Sequence, residues 1–350
     1  MNKLNIETVR ALTEATKDWP VEYLTIEKLK KEMNKRHGAN VMVNAEDVAN
    51  KERKIISIGP VLDFATGGIP EGSWVLLSGT PKCGKSTTAL QIAANAQQEY
   101  GKQIFIGNVE HRINEKELRG IHGLDVSKVK MIQSEKGKIL TAQDFLQEFT
   151  TVIKTIPGCV LIIDSSSALC AEKEYSEDIT SQARNEGPKL LATFCRKMAS
   201  VVPVQDVTLI IIQHLIANTS GYGSPYYEDG GNKIQYQADL KLRCSSFQKW
   251  NAKTNDDSTR VGQVVNWQII TSALGAPGGK VQSYIRYGYG IDEVKEYIDL
   301  GLDMGIIDKG GAWYTFSELK AQGEDKLRAA LLENPEKLQE LKTAIKAHMV

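Results

Sequence analysis

Gly79-Thr80-Pro81-Lys82-Cys83-Gly84-Lys85-Ser86 places two glycines around a four-residue gap and closes on Lys-Ser, with Thr87 next. Small residues there let consecutive backbone N–H groups curl around phosphate oxygens, and a helix opening after the loop aims its positive end at them. Lys85 then reaches the terminal phosphates, and the Ser86 hydroxyl can ligate Mg²⁺. The chemistry implied is that of a nucleoside triphosphate. Such chemistry also asks for a carboxylate near the metal, a carboxylate for the attacking water and a polar group at the γ-phosphate. Asp164 ends the apolar run Cys159 to Ile163 and is followed by Ser165-Ser166-Ser167. Glu110 follows the apolar run Ile104-Phe105-Ile106, and Gln213 and His214 follow Val207 to Ile212. Glu110 equally fits a surface carboxylate paired with His111 or Arg112, and Gln213-His214 a plain strand-to-loop junction.

These residues gain meaning from the elements that carry them. From Trp74 to Ile212 short apolar runs (Val75 to Leu77, Ile104 to Ile106, Val129 to Ile132, Val160 to Ile163, Val207 to Ile212) alternate with helical patterns. That alternation predicts an α/β fold whose parallel sheet is covered by helices. In such a sheet the ligand crevice lies at the carboxyl ends of the strands, which puts the loop, Glu110, Asp164 and His214 on one edge. Phe145, Leu146, Phe149, Val152, Ile153 and Ile156 mark an amphipathic helix. Beyond residue 238, Leu240, Leu242 and Cys244 alternate as antiparallel strands extending the sheet, and the polar stretch Asn251 to Arg260 reads as an exposed loop.

Three regions are expected. Residues 1–58 are charge-rich, with Leu24, Ile26, Leu29 and Met33 on one helical face and a stop at Gly38. Residues 59–288 form the nucleotide core. Residues 289–350 form a small α+β module, with Val294, Ile298 and Leu302 on one helical face, then Trp313-Tyr314, then two helices ending near His348.

Lys plus Arg and Asp plus Glu are 43 each, so no overall positive field advertises a nucleic acid and such a partner must be held by a local surface. Two loops are candidates. Leu215 to Gly231 carries Tyr222, Tyr226 and Tyr227 but no Lys or Arg, so phosphate contacts there fall to backbone N–H groups at Gly230-Gly231. Residues 172–188 lead into a helix with Lys189 and Arg196 seven residues apart, on one face. Five cysteines without a close pair, one inside the phosphate loop, suit a reducing compartment. With no apolar signal core and no run of about 18 apolar residues, the expectation is a soluble cytosolic protein with no membrane partner.

Taken together, the chain resembles the RecA family of homologous recombinases over nearly its whole length. Val109-Glu110-His111 resembles that family's Glu-His catalytic segment, Ile163-Asp164-Ser165 its Asp-Ser strand end, and Gly230-Gly231-Asn232 the glycine pair closing its second DNA-binding loop. Gly290-Ile291-Asp292 through Gly311-Ala312-Trp313-Tyr314 is similar to the C-terminal domain of bacterial members, and Glu32 through Gly38 to Met42 to their N-terminal polymerisation helix and following strand. The resemblance implies a phosphate-loop NTPase core and a helical filament on single-stranded DNA that pairs with homologous duplex, with single-strand-binding and loader proteins as further partners. It implies ATP and Mg²⁺, with Gly79 to Thr87 on ATP, Lys85 and Glu110 catalytic, Ser86 and Asp164 at the metal, and His214 or Gln213 sensing the γ-phosphate. It further implies Lys189, Arg196, Tyr222, Gly230, Gly231 and Asn232 near DNA, and Tyr236 at the filament interface.

The chain also departs from the family's pattern. Bacterial members carry two lysines before an Ala-Pro pair that reach the neighbouring subunit's ATP; the positions before Ala276-Pro277 are Thr271 and Ala273. Lys280, Arg286 and Arg260 are the candidate replacements. The adenine-stacking aromatic aligns with Glu117, the sensor reads His214 where bacterial members have glutamine, and no acidic tail follows the last helix. These features fit a divergent member, such as a phage-encoded one acting in its host's cytoplasm. Two other readings use the same core: a ring-forming motor of the helicase class, and a non-catalytic paralogue serving as a DNA-binding or mediator module.

Overall fold

Parity along the apolar runs divides the interior in two. Val75, Leu77, Ile104, Ile106, Val160, Ile162, Ile210 and Ile212 are buried on one face of the sheet, and Trp74, Leu76, Leu161, Ile163, Leu209 and Ile211 on the other. Successive side chains of a strand point to opposite faces, so runs apolar at every position must be covered on both. A computed structural model of the chain describes residues 25–176, 186–218, 226–229, 232–254 and 257–348. It separates into two units, Met1–Arg53 and Lys54–Val350.

In the first unit, helix α1 (Ile26–His37) starts at Thr25, whose hydroxyl accepts from the Lys28 N–H, and stops at Gly38, which takes the left-handed conformation at φ 66°. Ile26 and Leu29 on the expected apolar face are exposed. Leu24 lies outside the described residues.

The second unit opens with β1 (Ile55–Ile56), α2 (Pro60–Thr66) and β2 (Ile69–Pro70), the two short strands pairing antiparallel. Its main sheet then takes β3 (Trp74–Gly79), α3 (Lys85–Tyr100), β4 (Ile104–Asn108), β5 (Val129–Ile132), α4 (Ala142–Thr155), β6 (Val160–Asp164), α5 (Glu186–Met198), β7 (Thr208–Ala217), β8 (Tyr226–Glu228), α6 (Asn232–Gln237), β9 (Leu240–Thr254), β10 (Asp257–Thr271), β11 (Lys280–Arg286) and β12 (Gly290–Ile291). The strand order is β12-β11-β10-β9-β3-β7-β6-β4-β5, with β8 paired to β7. From β5 to β9 the strands are parallel, and β10, β11 and β12 continue antiparallel. Helix α3 covers one face through Leu90, Ile92 and Ala93, and α4 and α5 cover the other through Phe149, Ile153, Leu191 and Phe194.

A third cluster joins Val294 and Ile298 of α7 (Glu293–Asp303), Ile307 just before β13 (Asp308–Gly310), and residues of β14 (Trp313–Phe316) and β15 (Leu319–Gln322) to Leu327, Leu331, Leu341 and Ile345 of α8 (Glu324–Glu333) and α9 (Pro335–Lys346). The α/β class with a mainly parallel sheet and a small α+β C-terminal part is therefore as the pattern predicts.

One expected loop, and the two ends of another, are strand instead. The polar stretch Asn251 to Arg260 belongs to a long hairpin in which Asn251 stands opposite Arg260 and Thr254 opposite Asp257. An antiparallel ladder needs only its backbone groups, so it continues past the point where a core supplies apolar faces. Likewise β7 runs on to Ala217, and Tyr226–Glu228 returns antiparallel to Leu215–Ala217. Within the candidate loop of residues 172–188, Glu172–Ser176 is a short helix. Among the described residues no helix is long and apolar enough to cross a membrane.

Candidate nucleotide site

The register of four parallel strands assembles the site. Gly79 of β3 stands beside His214 of β7, and Asn108 of β4 beside Asp164 of β6, so one sheet edge receives all four. From Gly79 the chain turns through Lys82 at φ 62° and Gly84 at φ 99° into the N-terminus of α3 at Lys85. Gly84 is required twice: by its left-handed backbone, and because a Cβ there would lie 2.4 Å from Ile285 Cδ1. Lys85 is buried, and its ammonium donates to the carbonyls of Gly79 at 3.0 Å and Thr80 at 2.8 Å. The ammonium also lies 3.9 Å from Cys83 Sγ, and an incoming anion would offer it stronger, charge-assisted hydrogen bonds than these partners do.

Next to the lysine, the Ser86 hydroxyl donates to Asp164 Oδ2 at 2.6 Å. Burial pushes the Asp164 carboxyl up, and the Ser86 hydrogen bond opposes that. A hydroxyl and a carboxylate converging at one point supply hard oxygen ligands suited to Mg²⁺, which takes few protein ligands and completes its shell with water and phosphate. Among the described residues no group of three or more His, Cys, Asp or Glu forms a larger metal cage.

Glu110 is set by backbone as well as side chain. The N–H groups of Val109 and Glu110 donate to the Asp164 carbonyl at 2.9 and 3.3 Å, and Asn108 braces the following turn by accepting from the Ile113 N–H at 3.2 Å. Its carboxylate takes His214 Nε2 at 2.9 Å and the Ser165 hydroxyl on Oε1, and Arg112 Nε at 3.1 Å on Oε2. A carboxylate only accepts, so His214 carries its proton on Nε2 here. The His214 hydrogen bond, then that of Ser165 and the Arg112 charge, hold the Glu110 carboxyl down at about 2 against partial burial. Arg112 thus makes the ordinary surface pair, while His214 ties Glu110 to the strand beside the phosphate loop.

Gln213 is not brought to this cluster. It is fully buried, its Nε2 donates to the Asp229 carbonyl at 2.8 Å, and Gln235 donates to its Oε1 at 3.2 Å. Strand alternation sends adjacent side chains to opposite faces, so Gln213 faces the β8 return and His214 faces Glu110. Lys189 and Arg196 are both exposed on α5. Asn232 opens α6. Tyr236 on α6 is 84 % exposed. Tyr222, Gly230 and Gly231 lie outside the described residues.

Several contributors were not legible in the sequence. Glu228 on β8 pairs with Lys241 at 3.1 Å and Arg243 at 2.5 Å on β9 and accepts from the Ser78 hydroxyl at 3.3 Å, tying the returning strand to the base of the phosphate loop. The alternation Lys241, Arg243 between Leu240, Leu242 and Cys244 was the available signal. Beneath the loop, Cys244 hydrogen-bonds Cys83; with the Lys85 charge this lowers the Cys83 thiol to about 7, while Cys244 is pushed up. A cavity of about 510 Å³ opens over the loop, lined by Lys82, Lys85, Ser86 and Thr87 and by Phe247, Arg260, Gln263 and Tyr287 from the antiparallel strands and their end.

Comparison with known proteins agrees with this architecture. The family profile described as RecA N-terminal domain matches residues 24–292, and that described as RecA C-terminal domain matches residues 295–350. Protein RecA of a Nitratiruptor species is 29% identical over 330 residues, covering 91% of each chain. Protein RecA of Campylobacter hominis is 28% identical over 330 residues, covering 93% of this chain and 92% of its own, and that of Aquifex pyrophilus 26% over 319 residues, covering 90% and 88%.

Proposed function

The chain belongs to the RecA family, and on that premise we propose that it is an ATP-dependent DNA recombinase that forms filaments on single-stranded DNA and exchanges strands with homologous duplex. Base pairing supplies the sequence recognition, while protein contacts follow backbone and shape. Single-strand-binding and loading proteins are partners consistent with that activity.

The observation that carries the reading is the hydrogen bond between Glu110 and His214. It joins a carboxylate at the nucleotide edge to a strand that continues directly into the β7–β8 return. Glu110, ionised at neutral pH, accepts a proton from the attacking water, and Lys85 neutralises charge on the terminal phosphates. Ser86 and Asp164 would hold Mg²⁺, which would neutralise phosphate charge. His214, released from Glu110 by a γ-phosphate competing for its Nε2 proton, passes nucleotide state along β7 to Leu215–Ala217 and its partner β8, and so to DNA affinity.

Electron microscopy of the protein with an ATP analogue on single-stranded DNA tests ligand, partner and assembly at once. Helical filaments are expected, together with DNA-stimulated ATP hydrolysis that K85A abolishes. Closed rings, or DNA binding of equal strength with and without the analogue, overturn the reading.

A further inference from the structure

We propose that Arg260 is a nucleotide-binding residue acting within its own protomer, its guanidinium gripping the phosphates of the nucleotide held by Lys85; the proposal rests on the nucleotide-site reading above. Three cations were candidates to replace the absent interface lysines, and their surroundings separate them. Arg286 is spent: its Nε lies 2.5 Å from buried Asp292 Oδ2 and its Cζ sits 4.6 Å from the Trp250 ring centroid. Lys280 stands at the opposite end of β11 from that cavity, opposite Gln268. Arg260 instead lines the cavity of about 510 Å³ together with Lys82, Lys85, Ser86 and Thr87 of its own chain.

A local backbone device turns it there. Gln263 and Val265 of β10 pack on the phosphate loop, both lying near the position a Gly84 Cβ would take. By strict alternation Val261 would share their side and Arg260 would face away. The ladder shifts by one residue between Arg260 and Gly262, leaving Val261 as the extra residue, and such a bulge re-aims the side chain before it. Gly262 is the residue that permits it, since a Cβ there would lie 2.1 Å from the Ile285 carbonyl. Arg260 then folds back along its own strand, with Nε donating to the Gly262 carbonyl at 3.4 Å and Cζ 5.2 Å from the Tyr287 ring centroid.

Neither contact neutralises the charge, and among the described residues no carboxylate pairs with Arg260, so its planar fork can receive phosphate oxygens. Glu117 lines the same cavity, but one of its oxygens accepts the Asn114 N–H at 3.1 Å in a capping box. Placing the cation in cis removes the need for lysines to cross a subunit boundary.

Equilibrium binding of a non-hydrolysable ATP analogue, without DNA, tests this with R260A, R260K and K85A, each first checked for parental thermal unfolding. R260A is expected to weaken binding roughly tenfold or more, with R260K intermediate, because charge-assisted hydrogen bonds are lost. Mixing R260A with K85A on single-stranded DNA then decides the geometry. If Arg260 acts in cis, no mixed assembly contains an intact site and turnover stays at the level of the separate variants. Recovery of turnover in the mixture means that Arg260 serves its neighbour, and parental binding by R260A means that it serves neither; each overturns the proposal. Parental binding by K85A is a different failure, that of the nucleotide-site reading itself.

Discussion

Glu110 and Glu296 each take a serine hydroxyl and two further polar partners, yet the protein holds them in opposite protonation states. Glu110 takes Ser165, His214 and Arg112 and is held down at about 2. Glu296, fully buried on α7, takes the Ser283 hydroxyl at 2.5 Å, the Tyr284 N–H at 3.0 Å and the Val61 N–H at 3.2 Å, and burial lifts it to about 8. The number of donors does not decide the charge. Glu110 keeps some contact with water and meets a guanidinium and an imidazole; Glu296 meets only neutral donors in a dry interior, so desolvation wins. One environment keeps a carboxylate ionised at the sheet edge beside the phosphate loop, where the proposed function needs a base, and the other uses a neutral acid to fasten α2, β11 and α7 together.

The largest test of this contrast is catalytic. Glu110→Gln should lower DNA-stimulated ATP hydrolysis about 10²- to 10⁴-fold, the usual contribution of a general base, while analogue binding survives. Glu296→Gln should leave turnover at the parental level. Equal losses in the two variants would erase the distinction.

Stability should respond in the reverse order. Glu296→Ala strands the Ser283, Tyr284 and Val61 donors beside a void and should cost about 2–4 kcal/mol in urea unfolding, whereas Glu296→Gln keeps an acceptor and should cost about 1 kcal/mol. Glu110→Ala, at a partly solvated edge, should cost less than Glu296→Ala. Should the edge variant prove the more damaging, Glu110 is a structural keystone and its low pKa carries no catalytic message.

How much of this was legible in the sequence follows from how local each feature is. The phosphate loop is read from eight adjacent residues, and the parallel sheet from the two-sided apolarity of runs such as Val160 to Ile163. The placement of Glu110 and Asp164 needed only the rule that such sheets bind ligands at their carboxyl edge. What stayed hidden depends on contacts between distant segments. Glu296 meets Val61, 235 residues away, and Cys244 meets Cys83, 161 residues away. Arg260 turns on a one-residue register shift that no composition or period signals. The hairpin through Asn251–Arg260 escapes the sequence because its ladder is closed by backbone groups, which polar residues do not advertise.

pH sharpens the contrast further. Glu296 is raised in the folded protein from 4.5 to about 8, so its contribution is fully present below pH 4.5 and is lost as pH rises through about 8. Stability should therefore fall across that window, with a slope from this group of at most about 1.4 kcal/mol per pH unit. Glu110 is lowered from 4.5 to about 2, so its contribution is present above pH 4.5 and is lost only as pH falls through about 2. Urea unfolding from pH 5 to 8 should show Glu296→Gln flattening the slope and Glu110→Gln leaving it unchanged. A parental slope in Glu296→Gln would mean that Glu296 is ionised in the interior.

The smallest effect isolates the donor that sets Glu110. His214 is the foremost cause of its low pKa, ahead of Ser165 and Arg112, so His214→Ala should let the carboxyl climb toward its ordinary 4.5. A general base works only while ionised, and the acidic limb of the kcat/KM profile, which reports the free enzyme in which His214 still holds Glu110, should move up with it. ATP hydrolysis by His214→Ala, compared between pH 5 and pH 7.5, should then fall more steeply toward acid than the parent's, even after the rates at pH 7.5 are normalised. His214→Gln retains an N–H donor and should restore the parental shape. If all three profiles coincide after normalisation, the acidity of Glu110 is set by Arg112 and Ser165, and the His214 contact reports nucleotide state without tuning the base.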